Sequence, residues 1–170
     1  MLEISRRKRD PSDRAARNWG FTCPRGRPET PVMTPLAPAP AHIVLAEDDP
    51  DVSATTIDLL TLGGHAVAAF ASGREALDHL ARHGADLLLT DMIMPGGDGP
   101  WLLHQVRAAA GLGHLPVLVV SARADESHVA EGLRNGADAY LTKPFDPERL
   151  LETVAYWVEQ GRARRGARPA

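Results

Sequence analysis

Two short apolar runs of the sequence end directly in acidic side chains. The run IVLA (43–46) is followed by Glu47-Asp48-Asp49, and the run DLLLT (86–90) is followed by Asp91. Carboxylates that lie close together repel one another unless a cation neutralises them, and oxygen ligands suit a hard ion such as Mg²⁺. Because Mg²⁺ usually takes one or two carboxylates and keeps positions for water and phosphate oxygens, these acids predict a metal site that handles phosphate.

A lysine in the stretch YLTKPF (140–145) is the expected partner of that phosphate. The chain has seventeen arginines and only two lysines, and the other lysine, Lys8, lies in an N-terminal stretch without a sustained helical or strand pattern. Arginine is a planar fork, whereas lysine is a point charge on a flexible stem. We therefore interpret Lys143 as a single cation that contacts one oxygen of a phosphoryl group, where a bidentate arginine would crowd the metal site.

Five apolar runs predict the strands that position these residues. They are IVLA (43–46), AVAAF (66–70), DLLLT (86–90), PVLVVS (116–121) and AYLT (139–142). The runs are continuous rather than alternating, which is typical of strands that are covered on both faces of a parallel sheet.

Start and stop signals predict a helix after each strand. The signals are Asp49-Pro50 to Gly63-Gly64, the capping box Ser72-Gly-Arg-Glu75 to Gly84, a start at Asp98, Asp125 to Asn135-Gly136, and Asp146-Pro147. Strands that alternate with helices indicate an α/β fold with right-handed crossovers and a doubly wound sheet. Ligands of such sheets lie outside the carboxyl ends of the strands. The acids, Ser121 after the fourth strand and Lys143 after the fifth are therefore expected to meet at one edge.

Length and charge limit the class of protein. A chain of 170 residues is long enough for one domain with a core, and its longest apolar runs are far shorter than the roughly 20 residues of a membrane span. The net charge of −3 combines +4 in residues 1–41, −11 in 42–160 and +4 in 161–170. The strong negative charge of residues 42–160 argues against binding to nucleic acid. The single Cys23 cannot form an internal disulfide, and a cytoplasmic protein that is not bound to a membrane is expected.

The same change in composition predicts the domain boundaries. Residues 1–41 are rich in Arg, Pro and Thr, so we predict a disordered, basic tail there. Met33 precedes its proline-rich part, which suggests the hypothesis that translation starts at Met33 and that residues 1–32 are not part of the native protein. The folded domain is predicted to cover 42–160 and a basic tail to cover 161–170.

The motifs at the strand ends resemble those of the receiver domain of two-component response regulators. They are E-D-D after strand one, D-x-x-M-P-x-x-D-G after strand three, S-A after strand four and K-P-F after strand five, over 42–160. The resemblance implies a flavodoxin-like, five-stranded parallel sheet in the order 2-1-3-4-5 with five helices. It also implies a cis Lys143–Pro144 bond. The departures are Ser at 121, where Thr is commoner, and Gly97, where Met or Leu is usual.

The resemblance also implies a role for each matching residue. Asp91 would be the phospho-acceptor, Glu47 and Asp48 the acidic pair that holds Mg²⁺, Ile93 a further metal ligand through its backbone carbonyl, Ser121 the switch hydroxyl, Tyr140 the switch aromatic and Lys143 the phosphate-binding lysine. Asp49 and Asp98 are interpreted as helix caps. His79 and His83 have a metal-like spacing of four, but without carboxylate or cysteine neighbours they are interpreted as solvated.

The implied function is a signalling switch rather than an enzyme. The phosphoryl donor would be a phosphohistidine on a sensor histidine kinase or a histidine phosphotransfer protein, and the output a protein contact through the face formed by helix four, strand five and helix five. We expect a stand-alone receiver, and whether it forms a homodimer stays open. One alternative is a receiver-like interaction module that is not phosphorylated. Another is an Mg²⁺-dependent aspartyl-nucleophile phosphatase, but that class places an acid where Ile93 stands.

Overall fold

The computed structural model describes residues 39–166. Its elements, in chain order, are β1 (His42–Ala46), α1 (Pro50–Leu62), β2 (Ala66–Phe70), α2 (Gly73–His83), β3 (Leu87–Thr90), α3 (Gly99–Ala108), β4 (Val117–Ser121), α4 (Glu126–Arg134), β5 (Ala139–Thr142) and α5 (Pro147–Gly166). All strands are parallel, in the order β2-β1-β3-β4-β5. The predicted fold class is therefore confirmed, whereas the predicted tail over 1–38 and residues 167–170 lie outside the described residues.

The central strands are continuously apolar because each face of the sheet carries its own core. Val44, Leu88 and Val119 pack with α2 and α3 on one face, through side chains that include Leu80, Leu102 and Leu103. Ile43, Leu45 and Leu89 pack with α1 and α5 on the other face, through Leu60, Leu150 and Val154. Successive strand residues point to opposite faces, so both sets must be apolar. This two-sided packing fixes the direction of β1 and β3, which end at the predicted acids.

The helices begin at the capping residues that the sequence predicts. The side chains of Asp49, Ser72, Asp98 and Asp125 each accept a hydrogen bond from a backbone N–H in the first turn of α1, α2, α3 and α4. The Asp146 carboxylate accepts one from the Glu148 N–H at the start of α5, at 2.9 Å. Only one residue of α4, Gly132, is buried. This helix is therefore held by fewer apolar contacts than the others.

The last helix is longer than the sequence predicts. We predicted a basic tail from residue 161, but α5 continues to Gly166. Arg162 and Arg165 contact the Asp86 carboxylate and Arg164 contacts Asp138, so these arginines anchor the helix to the amino ends of β3 and β5. Burial alone would raise the pKa of Asp86, but hydrogen bonds from the His42 amide, Arg165 and Arg162 hold it below its ordinary value.

No helix between residues 39 and 166 has the apolar length that crossing a bilayer requires.

Replacement of a buried glycine tests whether this extension belongs to the folded unit. A Cβ on Gly161 would lie 2.5 Å from Cγ of Pro116, and the proline ring cannot move aside as a flexible side chain could. We expect Gly161→Ala to lower the free energy of unfolding by about 1–3 kcal/mol, which outweighs the gain of about 1 kcal/mol in helix propensity.

The matched control is Gly166→Ala at the end of the same helix. A Cβ there would meet no atom within 4 Å, so no loss of stability is expected. Urea denaturation of both variants checks the pair. Equal stability of the two would mean that residue 161 is not packed against Pro116.

Candidate functional site

Three predicted acids meet at the carboxyl edge of the sheet. Glu47 follows β1 and is buried, Asp48 is exposed, and Asp91 follows β3 and is half-buried. One carboxylate oxygen from each lies within 4.8 Å of the others. Among residues 39–166 no other three Asp, Glu, His or Cys side chains come as close together. Such a set of oxygens is what a hard divalent ion prefers.

Lys143 lies between two of these acids. Its Nζ donates hydrogen bonds to Oε2 of Glu47, at 2.6 Å, and to Oδ2 of Asp91, at 2.8 Å. Its side chain is only 16% exposed. The Lys143–Pro144 bond is cis, as the family resemblance implied. The lysine that stood out by its rarity in the sequence therefore points into the acidic cluster.

The pKa values of the buried pair follow from this arrangement. Burial raises the pKa of Glu47 above its ordinary value, and the hydrogen bond and charge of Lys143 only partly offset this effect. Burial opposes the charged form of Lys143, but its hydrogen bonds with Asp91 and Glu47 leave its pKa raised. A carboxyl whose pKa is higher in the folded state stabilises the fold most below its unfolded pKa of 4.5. That contribution is lost as pH rises through the raised value.

The two carboxylate oxygens of Asp91 have different surroundings. Oδ1 accepts hydrogen bonds from the backbone N–H of Met92, at 2.5 Å, and of Ile93, at 3.3 Å. Oδ2 faces Lys143. The backbone N–H of Asp91 donates to the carbonyl of Ala46 at 2.9 Å, which ties the end of β3 to the end of β1. The carboxylate is thus oriented from one side, and its second oxygen is directed towards the cation.

Thr90 and Gly99 hold the loop after Asp91, and neither role is predicted by the sequence. The hydroxyl of Thr90 is buried and donates to the Asp91 carbonyl at 2.9 Å. A Cβ on Gly99 would lie 2.5 Å from that same carbonyl oxygen. Gly99 was visible in the sequence as part of the D-G pair, but its packing against Asp91 could only be seen in three dimensions. Both residues restrict the backbone that carries the central carboxylate.

Ser121 and Tyr140 are both in contact with Arg123, which the sequence did not single out. Oγ of Ser121, which is buried, accepts a hydrogen bond from the Arg123 N–H at 3.3 Å. The Tyr140 hydroxyl donates to the Arg123 carbonyl at 2.8 Å. The ring of Tyr140 lies against Gly132 of α4, where an added Cβ would approach it to 3.0 Å. One peptide segment therefore connects the end of β4 with β5 and α4.

Asp49 and Ile93 lie at the border of the site. Oδ1 of Asp49 accepts from the N–H groups of Asp51 and Val52, which agrees with its predicted role as the cap of α1. The Ile93 side chain is 57% exposed, and its N–H faces Asp91. The Asp49 carboxylate is therefore not part of the cluster of three acids, and the apolar side chain of Ile93 offers no ligand atom.

Comparison with known proteins explains why these residues occur together. Residues 43–155 match the family model for the response regulator receiver domain. The chain belongs to this family. The receiver is 41% identical to the response regulator protein FleR of Pseudomonas aeruginosa over 115 residues, which are 68% of this chain and 24% of FleR. It is 38% identical to the transcriptional regulatory protein CseB of Streptomyces coelicolor over 113 residues, 66% of this chain and 47% of CseB. The chain thus spans about a quarter of the length of FleR and just under half of the length of CseB.

Solved structures of receivers share the fold. The receiver domain of sensor histidine kinase PA1611 from Pseudomonas aeruginosa superimposes with a TM-score of 0.67 at 27% identity, over 71% of this chain and 99% of that one. That structure has a magnesium ion coordinated in its active-site cleft. Chemotaxis protein CheY4 of Vibrio cholerae has a TM-score of 0.65 at 29% identity, over 69% of this receiver and 98% of CheY4. The receiver is therefore a module of signalling proteins of the two-component class.

Proposed function

We propose that this receiver is a phosphorylatable switch that accepts a phosphoryl group on Asp91 from a phosphohistidine. A carboxylate oxygen of Asp91 attacks phosphorus, the P–N bond to the donor imidazole breaks, and the imidazole leaves with the bonding electrons and takes a proton. The observation that supports this proposal is the position of Lys143, whose ammonium lies 2.8 Å from Asp91 and 2.6 Å from Glu47. A cation at this place can bind an oxygen of the incoming phosphoryl group.

The acidic cluster has the chemistry of an Mg²⁺ site. We propose that Glu47, Asp48 and Asp91 hold the ion, together with the backbone carbonyl of Ile93. The set consists only of oxygens, as Mg²⁺ prefers, and the magnesium of the PA1611 receiver supports the assignment. When bound, the ion would neutralise charge on the phosphoryl oxygens. Asp48 is exposed, so water can reach that side of the cluster. This agrees with the preference of Mg²⁺ for keeping several water molecules as ligands.

The residues of the chain itself orient the reacting carboxylate. The N–H groups of Met92 and Ile93 hold one oxygen of Asp91, and Lys143 attracts the other towards the cluster. Transfer of a phosphoryl group proceeds through a loose transition state, which needs positioning and charge stabilisation more than covalent help from the protein. A fixed carboxylate beside one ammonium satisfies both needs. Asp91 is the nucleophile in this scheme, and Lys143 stabilises charge.

A groove beside the site supports the assignment of a protein donor. It is lined by Asp51, Val52, Thr55, Thr56 and Leu59 of α1 together with Lys143, Pro144, Phe145 and Pro147. The groove is mainly apolar, and Lys143 belongs both to it and to the acidic cluster. We propose that the segment of a sensor histidine kinase or phosphotransfer protein that carries the phosphohistidine lies here, because a donor bound in this groove would deliver its phosphoryl group beside Asp91.

We propose that the signal leaves through Ser121, Arg123 and Tyr140. Phosphorylation adds nearly two negative charges and new acceptor oxygens, which attract the Ser121 hydroxyl. That movement would break its hydrogen bond with the Arg123 N–H, and the Arg123 carbonyl is the partner of the Tyr140 hydroxyl. The face formed by α4, β5 and α5 would then change, and α4 is the helix with the fewest buried residues. A protein partner is the expected target, since residues 42–160 carry a net charge of −11.

Uptake of phosphate separates the switch from the two alternatives. Acetyl phosphate with Mg²⁺ should add one phosphoryl group to the protein, which intact-mass spectrometry detects. No uptake under conditions that label other receivers would favour the interaction module. Steady release of phosphate from aryl phosphates over many turnovers would favour the phosphatase, but Ile93 occupies the place of the general acid and its side chain is apolar.

Two adjacent acids give a matched test of the metal ligands. Asp48 belongs to the acidic cluster, whereas Oδ1 of Asp49 is hydrogen-bonded to the start of α1. We expect Asp48→Asn to weaken Mg²⁺ binding by about tenfold or more, since one carboxylate ligand is lost. Asp49→Asn should leave Mg²⁺ binding within about a factor of three, because asparagine caps helices as well as aspartate does. Isothermal titration with Mg²⁺ checks both variants, and equal weakening would show that Asp49 is a ligand.

A further inference from the structure

A group of histidine rings lies at the amino edge of the sheet, opposite the acidic cluster. His42 is the first residue of β1, and His79 and His83 lie one turn apart on α2. The ring centre of His79 is 4.7 Å from that of His83, 5.7 Å from that of His42 and 4.9 Å from that of Phe70. The sequence predicted that His79 and His83 are solvated. This is correct for His83 only, since His79 is half-buried among the other rings.

The ring of His79 contains a polar atom without a partner. Its Nε2 is shielded from solvent and makes no hydrogen bond with any residue between 39 and 166. A buried nitrogen of this kind costs free energy, and a bound ion is one of the ways in which proteins satisfy such an atom. Burial, followed by the charges of His83, His42 and Arg82, lowers the pKa of His79 below its ordinary 6.5. The ring is therefore neutral at pH 7, which is the form that binds metal ions.

The spacing of the rings fits a shared metal ion. Two imidazoles that bind one tetrahedral ion with metal–nitrogen distances of about 2.0–2.1 Å have ring centres about 5 Å apart. The two measured separations, 4.7 Å and 5.7 Å, lie on either side of this value. The ring nitrogens of the three histidines are not all within 4.8 Å of one another, whereas the carboxylate oxygens of the acidic cluster are. His83 is exposed, so its ring can turn towards a shared ion without disturbing the core.

The surroundings also favour a cation. Glu75, Asp78, Arg82 and the two histidines of α2 line a shallow pocket together with Phe70. Two carboxylates against one guanidinium give this pocket a net negative charge when the histidines are neutral. Imidazole suits zinc, copper and nickel, whereas Mg²⁺ prefers oxygen ligands. The two edges of the sheet thus offer different ligands to different metals.

We propose that His79 and His83, with His42 as a third ligand, bind a first-row transition-metal ion such as Zn²⁺ or Ni²⁺ at the amino edge of the sheet. The site is separate from the Mg²⁺ site and would bind its ion whether or not Asp91 is phosphorylated.

Calorimetric titration of the untagged full chain with Ni²⁺, in the presence of saturating Mg²⁺, tests this site. We expect one ion to bind the wild type. His83→Gln should weaken binding by about tenfold or more. Loss of a residue that only hydrogen-bonds to a metal ligand already costs about tenfold in affinity, and loss of a ligand itself should cost at least as much. This residue is exposed, so the variant should fold. His104→Gln removes an exposed histidine from α3 and serves as the matched control, with unchanged binding.

Three results would overturn the proposal. They are absence of Ni²⁺ binding to the wild type, unchanged affinity in His83→Gln, and loss of binding in Asp91→Asn. The last result would mean that the ion occupies the acidic cluster instead. Titration with Co²⁺ gives a second readout, since nitrogen ligation in a tetrahedral site produces a strong visible absorption that His79→Gln should reduce and His104→Gln should not.

Discussion

Asp91→Asn is expected to take up no phosphoryl group from acetyl phosphate and Mg²⁺ under conditions in which the wild type is fully labelled. An amide is not a nucleophile towards phosphorus, so the acyl phosphate cannot form at this position. The substitution keeps the shape of the side chain, and its oxygen can still accept from the Met92 and Ile93 N–H groups. Intact-mass spectrometry and phosphate-affinity electrophoresis measure the uptake.

The control for this variant lies on the same loop. Oδ1 of Asp98 accepts a hydrogen bond from the Trp101 N–H at 2.9 Å, and asparagine can replace aspartate as an N-cap. Asp98→Asn should therefore be labelled as the wild type is, with the same thermal stability. Labelling of Asp91→Asn at the wild-type rate would place the acceptor on another residue, and peptide mapping would identify it.

The convergence of the site could be predicted because it depends on topology. A parallel sheet gathers the carboxyl ends of its strands at one edge, so residues that directly follow β1, β3 and β5 must lie along the same edge. Glu47 and Asp91 come immediately after their strands, and Lys143 comes immediately after Thr142. The proximity of Glu47 and Asp91 follows from the strand order, since β1 and β3 are adjacent. Lys143 follows β5, which β4 separates from β3, so its contact with the acids depends also on its side chain.

Contacts that depend on side-chain packing could not be predicted in the same way. The link from Ser121 to Tyr140 passes through the backbone of Arg123, and no residue type is required there. Residues 161–166 have the composition of a basic tail. The three arginines of this segment nevertheless form ion pairs with Asp86 and Asp138, which hold the segment against the sheet. His79 was interpreted as solvated because the sequence shows no cysteine or carboxylate cluster around the pair, and sequence cannot show which rings of other elements pack on it. The ring that covers it, Phe70, comes from β2.

Lys143→Met is expected to slow phosphoryl uptake by about 10²–10³-fold, which is the usual cost of removing one group that stabilises charge in the transition state. The ammonium is 2.8 Å from Asp91, and no other Lys or Arg between residues 39 and 166 forms an ion pair with the acidic cluster. Lys143→Arg keeps the positive charge but presents a planar fork, so its rate should fall between those of the wild type and Lys143→Met. Stopped-flow measurements at saturating Mg²⁺ give the three rates.

The same substitution should make Mg²⁺ bind more tightly. The ammonium and the metal ion repel each other and share the carboxylates of Glu47 and Asp91, so removal of Lys143 leaves those oxygens to the metal. Slower transfer together with tighter Mg²⁺ binding would separate a role towards the phosphoryl group from a role in assembling the metal site. Loss of Mg²⁺ binding in Lys143→Met would indicate the structural role instead. Arg134→Met removes an exposed cation from α4 and should change neither quantity.

The stability of Lys143→Met gives a third, independent readout. Removal of one partner from a buried ion pair typically costs about 3–5 kcal/mol, because a charge is left buried without compensation. Glu47 is buried but Lys143 is partly exposed, so the loss is expected at or below the lower end of this range. The hydrogen bond and charge of Lys143 are what lower the pKa of Glu47 against the effect of burial, so the pKa should rise further in the variant. A carboxyl with a raised folded pKa takes up its proton as pH falls, and the uncompensated charge then disappears. The loss of stability should therefore be largest without Mg²⁺ at pH 8, and should shrink at pH 5 or when Mg²⁺ replaces the missing cation. A loss that is independent of both pH and Mg²⁺ would mean that Lys143 stabilises the fold by packing and not by its charge.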